Sequence, residues 1–173
     1  MALLNKQNKP VMWVLLVLCL LAWGPVAHAG ARSNAWQGTV THVTDGDTLW
    51  VRPSSGDAAY KIRLDGIDAP ELCQAYGMEA RGVLASAVMG KQVQVRVRRT
   101  DNFGRSLAHV WLHGQDMGAW MVLRGAAWSY RYRRDPGPYV QQEGKARAQR
   151  LGVFADAQAE RPRDFRLRHG SCH

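Results

Sequence analysis

The chain has 173 residues and a formal net charge of +9, with 23 lysines and arginines against 14 aspartates and glutamates. The length is enough for one domain, and the absence of internal repeats and low-complexity linkers in the sequence excludes a repeat array and gives no sign of a second domain. The positive surplus suits a polyanionic partner, although it carries no information about the fold.

The first 29 residues have the layout of a secretory signal peptide: a basic start, a short uncharged apolar run and an A-x-A site that ends at Ala29. The alternative is a membrane anchor, but the run is shorter than the ~20 residues that span a bilayer, and Gly24-Pro25 interrupts it. We expect cleavage after Ala29 and a single periplasmic or secreted domain over residues 30–173. An uncleaved leader that tethers the protein to the inner membrane stays open.

Strand patterns dominate the first part of the mature chain and return after one helix. The alternation is clearest in residues 91–99, where valines alternate with glutamines and arginines. The predicted strands are 36–44, 48–52, 59–64, 91–99 and 106–113, and the predicted helices are 76–89, 116–124 and 139–151. This order predicts an α+β domain and is compatible with a small closed barrel, but periodicity alone does not choose the barrel over an open sheet.

The segment from Asp156 to the C-terminus is rich in charge and has no periodicity. Its arginines are interpreted as a solvated or nonspecific basic patch, and they are Arg161, Arg163, Arg166 and Arg168. Removal of the leader leaves two cysteines, Cys73 and Cys172, and export to an oxidising compartment favours a disulfide between them. Two free thiols are the alternative.

Three short motifs carry the chemistry: D-G-D-T at 45–48, R-L-D-G-I-D-A-P-E at 63–71 and D-N-F-G-R at 101–105. Two carboxylates ~4 Å apart repel by about 4 kcal/mol at an effective dielectric near 20, and a hard cation such as Ca²⁺ reverses that sign. Arginines beside them supply forked donors that suit phosphate oxygens. Acids for a cation and a proton, with arginines for an oxyanion, predict phosphodiester cleavage.

These motifs, in this order and on matching strand and helix patterns, resemble the staphylococcal nuclease (thermonuclease-like) family. The resemblance extends from about Trp36 to Phe154. It implies a five-stranded OB-fold β-barrel with three helices. It also implies a calcium-dependent nuclease that acts on DNA and RNA and leaves 3′-phosphate ends. We expect a monomer with no obligate protein partner.

The resemblance also implies the residues of a calcium site. Asp47 and Asp68 match the two carboxylate ligands, and Ala69 matches a position that binds calcium through its backbone carbonyl. Asp45 matches an outer-shell acid near the metal. Without the other motifs, Asp45 and Asp47 would instead be interpreted as turn residues whose side chains cap their own backbone.

The remaining roles concern the substrate. Glu71 matches the residue usually assigned as general base, and Arg63 and Arg105 match the two phosphate-binding arginines. Phe103 stands where a tyrosine could donate to phosphate, so that hydrogen bond should be missing. The candidate nucleotide-contacting aromatics are Tyr130 and Tyr132, for which the edge of a core beside a solvated charge run is an equal alternative.

Two rival functions use the same fold or charge. An OB-fold module could bind single-stranded nucleic acid without cutting it, and an envelope protein could use its basic surface on anionic polymers. Retention of Glu71 together with both arginines favours the nuclease, because non-catalytic relatives typically lose such positions.

Overall fold

The structure, a computed structural model, describes residues 35–101 and 104–172. The predicted leader and Phe103 lie outside the described residues. Within the described part of the chain, no helix has the length and apolar character that a membrane crossing requires.

The strands follow the predicted order, with three further short pairings. They are β1 Ala35–Val43, β2 Thr48–Pro53, β3 Tyr60–Leu64, β4 Ile67–Asp68, β5 Gln92–Thr100, β6 Ser106–Leu112, β7 Gln115–Asp116 and β8 Trp128–Ser129. Four α-helices lie in the described residues: α1 Gly77–Val88, α2 Met117–Leu123, α3 Val140–Ala148 and α4 Pro162–His169. A 3₁₀ turn at Gly152–Ala155 precedes α4.

The main sheet closes into a barrel. Its strand order is β3-β2-β1-β5-β6-β7, and β3 also pairs with β6 in parallel, with Ile62 opposite Ser106 and Leu64 opposite Ala108. This pairing confirms the five-stranded OB-fold barrel and the α+β class, and it settles the choice that periodicity left open. Alternate residues of each strand enter the core; Leu49 and Val51 of β2, for example, are fully buried.

The three predicted helices are present: α1 and α2 pack on the barrel core, and α3 packs against α2 and β8. In α1, Ala80, Leu84 and Val88 are fully buried and belong to the same hydrophobic core as the strands. Asp116 caps α2, as predicted, by accepting a hydrogen bond from the Ala119 backbone N–H at 3.0 Å.

The C-terminal segment differs from its prediction as an irregular basic tail. It contains α4, which begins at Pro162, a residue favoured in the first helical turn. Pro162 is the buried residue of α4, so the helix has no apolar stripe that a periodicity search could find. Hydrogen bonds, ion pairs and a disulfide between Cys73 and Cys172 hold the segment against the domain instead.

Candidate active site

Asp47 is the most buried acid of the motifs, with 2% of its surface exposed. Three donors surround its carboxylate: the Thr48 hydroxyl at 3.0 Å, the Ala69 backbone N–H at 3.1 Å and Nη1 of Arg63 at 2.8 Å. Ala69 therefore lies with its backbone against the carboxylate, where its methyl side chain forms none of these contacts. Full hydrogen bonding is what a buried carboxylate requires.

The turn before β2 is tightly packed against the segment that carries Asp68. A Cβ atom on Gly46 would lie 2.7 Å from the Ala69 Cβ, so only glycine fits between the two acids of the turn. Asp45 accepts a hydrogen bond from the Asp47 backbone N–H at 2.9 Å. The D-G-D spacing thus places Asp45 and Asp47 on either side of the glycine that packs against Ala69.

Asp68 comes from the short strand β4, opposite Trp128 of β8, and is 5% exposed. Its Oδ1 accepts from Nη2 of Arg63 at 3.0 Å, so one guanidinium joins Asp68 to Asp47. Arg63 lies in β3 opposite Thr48, which explains how the two motifs meet. The forked geometry of arginine makes this double contact possible.

Burial dominates the electrostatics of this cluster, and the charge of Asp47 adds to its effect on the neighbouring acids. Burial, together with the neighbouring charge of Asp47, raises the pKa of Asp45 to about 7. Burial also raises the pKa of Asp68, with Asp47 adding to the effect. For Arg63, burial acts to lower the pKa, but the charges of Asp47, Asp68 and Asp45 together raise it. Another cation in the cleft would relieve this repulsion.

Glu71 is held by the turn that leads into α1. Its backbone N–H donates to the Gln74 side chain at 3.2 Å, and the Gln74 backbone N–H donates to the Glu71 carbonyl at 2.9 Å. A Cβ atom on Gly77 would lie 1.9 Å from that carbonyl oxygen, so α1 begins directly against Glu71. The backbone of the candidate base is therefore rigidly positioned.

Arg166 is a residue at the candidate site that the sequence interpretation missed. It extends from α4 to donate to both oxygens of Asp68, at 3.1 Å each, and to Oε1 of Glu71 at 2.9 Å. The prediction of a solvated patch is wrong for this residue, because its side chain is 27% exposed and holds two acids. The single hint in the sequence is Cys172, which indicated that the tail is attached to the domain.

Arg105 lies at the end of the connection between β5 and β6, directly before β6. The residue pairs with Asp101, through its backbone N–H at 2.9 Å and its Nε at 2.7 Å. It precedes β6, in which Leu107 lies opposite Arg63 of the parallel strand β3. Arg105 therefore lies two residues before the residue opposite Arg63, and its role with Arg63 as a phosphate-binding pair stays a prediction.

The two candidate tyrosines occupy different positions. Tyr130 lines a small cavity of about 70 Å³ together with Asp68, Arg131, Arg161 and Arg163. Tyr132 is 62% exposed, and the guanidinium of Arg133 lies 5.3 Å from its ring. The structure thus brings Tyr130 beside Asp68 and leaves Tyr132 outside that lining.

The chemistry of the donors suits a hard divalent cation. Asp45, Asp47, Asp68 and Glu71 present carboxylate oxygens, which calcium prefers, and Asp47 and Asp68 converge on one guanidinium. Within the described ranges, however, no three acidic, histidine or cysteine side chains are arranged to enclose an ion. The oxygen donors fit a calcium ion in type. In the present arrangement Arg63 bridges Asp47 and Asp68, and Arg166 bridges Asp68 and Glu71.

An OB-fold barrel is suited to oligonucleotides, and acids gathered with arginines at its edge suit the chemistry of a phosphodiester hydrolase. Comparison with known proteins agrees. The model of the family described as "Staphylococcal nuclease homologue" matches residues 61–156. The chain therefore belongs to the staphylococcal nuclease family, as the motifs predicted.

Several bacterial relatives align over most of both chains. A "Micrococcal nuclease" of Shigella flexneri is 34% identical, over 88% of this chain and 87% of that protein. An "Uncharacterized endonuclease" of Escherichia coli O157:H7 is 39% identical, over 90% and 97% respectively. An "Uncharacterized endonuclease" of Haemophilus influenzae is 33% identical, over 88% and 84%.

Proposed function

We propose that this protein is an exported, calcium-dependent endonuclease that hydrolyses phosphodiester bonds in both DNA and RNA and leaves 3′-phosphate ends. The observation that carries the proposal is the convergence of Asp47, Asp68 and Glu71 around two arginines at one barrel edge. Family membership supports it, since staphylococcal nuclease homologues generally depend on calcium.

In this proposal Asp47 and Asp68 would hold the cation, the Ala69 carbonyl would add a further oxygen ligand, and Asp45 would act from the outer shell. When bound, calcium supplies a doubly positive charge that polarises a phosphate oxygen. The raised pKa of Asp45 and Asp68 is consistent with this assignment, because both carboxyl groups are buried and lie near the charge of Asp47, so a bound cation would stabilise their ionised forms.

Glu71 removes a proton from water, and the resulting hydroxide attacks phosphorus while the bond to the 5′ oxygen breaks. The 5′ oxygen leaves with the bonding electrons and takes up a proton from solvent. One product keeps a 3′-phosphate and the other gains a 5′-hydroxyl. A base must lie ~2.6–3.2 Å from its water, which requires a fixed carboxylate. The contacts of Glu71 with Gln74 and Gly77 hold the backbone from which this carboxylate extends.

Arg63 and Arg105 bind the phosphate and stabilise the charge that develops on it. Tyr130 offers a partly exposed ring beside Asp68 on which a base could stack. The cavity there, at about 70 Å³, is smaller than the 300–1,000 Å³ typical of enclosed ligand sites, so we propose an open groove with broad base tolerance.

The second candidate is a barrel that binds single-stranded nucleic acid without cutting it. A cleavage assay separates the two functions: the mature protein is incubated with plasmid DNA and with RNA, first with calcium and then with a chelator. We expect cleavage of both substrates with calcium and none with the chelator. Binding without cleavage in calcium would instead support the module.

The role of Glu71 is tested in the same assay. Glu71→Gln should keep the fold and the nucleic-acid affinity but lose about 10²–10⁴ in rate. The matched control is Glu79→Gln, which changes an exposed acid of α1 and should cleave at the parent rate. If Glu71→Gln cleaves as fast as the parent, Glu71 is not the base.

Export is part of the proposal and has separate support. The disulfide between Cys73 and Cys172 requires an oxidising compartment to persist. N-terminal sequencing of protein from the periplasmic fraction should give a chain that starts at Gly30. A chain with an intact leader in the membrane fraction would contradict cleavage.

A further inference from the structure

The C-terminal segment is attached to the Glu71 turn at three independent points. Cys172 is joined to Cys73, and the buried Gln74 side chain donates to the Glu160 carbonyl at 2.7 Å. Arg166 adds the third attachment through Glu71 and Asp68. The contacts at Glu160 and Cys172 hold the two ends of α4, and the guanidinium of Arg166 reaches the acids from this helix.

Arg166 occupies the same carboxylate oxygens that a cation would need. Both oxygens of Asp68 accept from its two terminal nitrogens, so Asp68 is satisfied as a bidentate partner. A doubly charged ion bound to Asp68 would lie within a few ångströms of this guanidinium, where like charges repel strongly. The ion and Arg166 therefore compete for the oxygens of Asp68.

The negative charge of the cleft explains why Arg166 is held there. Asp47 and Asp68 contact the guanidinium of Arg63, and Asp45 accepts a hydrogen bond from the Asp47 backbone N–H. Glu71 joins these acids through Arg166. A second guanidinium compensates Asp68 and Glu71 while no ion is bound. The contacts with these two acids raise the pKa of Arg166 despite its partial burial, so the side chain stays charged.

We propose that Arg166 is an intramolecular counter-ion for the cation site: it neutralises Asp68 and Glu71 before the metal binds, and it moves to a phosphate of the nucleic acid when the metal displaces it. The inference rests on the proposed calcium-dependent function. When the metal displaces Arg166 from Asp68, the guanidinium donors become free beside Glu71, the proposed general base. A phosphate is the anion that such a fork then fits.

Two measurements on Arg166→Ala test the proposal, with the disulfide intact. Isothermal titration calorimetry with calcium chloride, without nucleic acid, should give about tenfold tighter binding than the parent, because charge-assisted hydrogen bonds no longer have to break first. Steady-state cleavage of a single-stranded oligonucleotide at saturating calcium should give a KM at least threefold higher. Arg166→Lys, which keeps the charge without the fork, should fall between parent and alanine variant in calcium affinity.

Arg168→Ala is the matched control, since Arg168 lies on the same helix, is mostly exposed and pairs with Glu160. It should leave both the calcium affinity and KM unchanged. Equal calcium affinity in parent and Arg166→Ala would overturn the counter-ion role, even if thermal stability falls. Tighter calcium binding with an unchanged KM would overturn the transfer to phosphate. Absence of calcium binding in every variant would overturn the calcium proposal itself.

Discussion

The barrel edge and the C-terminal segment meet at the same acids but are held in place by different forces. At the barrel edge, backbone pairing fixes the groups: Arg63 lies opposite Thr48, and Asp68 lies opposite Trp128. In the C-terminal segment a disulfide and polar contacts fix α4, which buries Pro162. The proposed catalytic groups thus lie on the barrel edge, which is held by backbone pairing. The Arg166 side chain, which we propose a metal ion displaces, lies on α4, which has few apolar contacts.

The difference predicts that substitutions at the barrel edge affect both rate and folding. Arg63→Gln should reduce the rate about 10²–10³-fold, because a donor to the phosphate is lost. It should also reduce the free energy of unfolding by about 3–5 kcal/mol, since two buried carboxylates lose a shared partner. Urea denaturation and cleavage rates measure the two effects.

The control for Arg63 is Arg99→Gln. Arg99 has a side chain that is 67% exposed and lies 3.9 Å from Asp65, so we expect a stability change within about 0.5 kcal/mol. An equally small effect of Arg63→Gln would mean that the buried acids do not depend on this guanidinium.

In the C-terminal segment, the disulfide should matter for stability more than for rate. Replacing both Cys73 and Cys172 with serine should cost about 2–4 kcal/mol in the free energy of unfolding, because the bridge closes a loop with a sequence separation of 99. Hydrogen exchange should show α4 losing protection before the barrel strands do. Simultaneous exchange of both regions would show that α4 belongs to the same cooperative unit as the barrel.

Gly77 tests how tightly the Glu71 turn is held. Gly77→Ala should destabilise the protein by about 1–3 kcal/mol and slow cleavage, because the added methyl group would overlap the Glu71 carbonyl. Gly82→Ala, on the same helix with nothing within 4 Å of its added Cβ, should stabilise by about 0.5–1 kcal/mol. A lower Tm for Gly77→Ala together with a higher Tm for Gly82→Ala would support the close contact at Gly77. A change of Tm in the same direction for both variants would contradict it.

The smallest expected effect concerns Asp45. Its pKa is about 7 in the folded state against 3.8 as the ordinary value, so the folded protein holds an extra proton between these limits. In chelator, stability from this group is therefore present below about pH 4 and is lost as the pH rises through about 7. Asp45→Asn should flatten this dependence and raise Tm at pH 7.5 by roughly 2–4 °C, the shift that about 1 kcal/mol gives a chain of this size. A Tm that instead falls would contradict a net cost of ionising the buried Asp45 carboxyl group beside Asp47.

The barrel and the acids were predictable because their signals are local in sequence. Alternating valines in β5 and the spacing of Asp45, Asp47, Asp68 and Glu71 report pleat and turn geometry directly. Closure of the sheet was not predictable from periodicity, because the β3–β6 pairing joins distant segments. It followed only from the family resemblance.

Arg166 and Gln74 escaped sequence analysis for a related reason. Both act through long-range polar contacts, Arg166 with Asp68 and Gln74 with the Glu160 carbonyl. A single arginine in a charged segment has the same local pattern whether it is solvated or holds a buried acid. The disulfide partner Cys172 carried the only positional information about this segment.

The most direct measurement of the central claim is a crystal structure of the protein grown with saturating calcium, with the ion located by its anomalous signal. The account predicts one strong peak bound by Asp47 and Asp68 next to Glu71, with the Arg166 side chain displaced from both carboxylates. A cleft in which Arg166 keeps its contacts and the peak lies elsewhere would contradict the account.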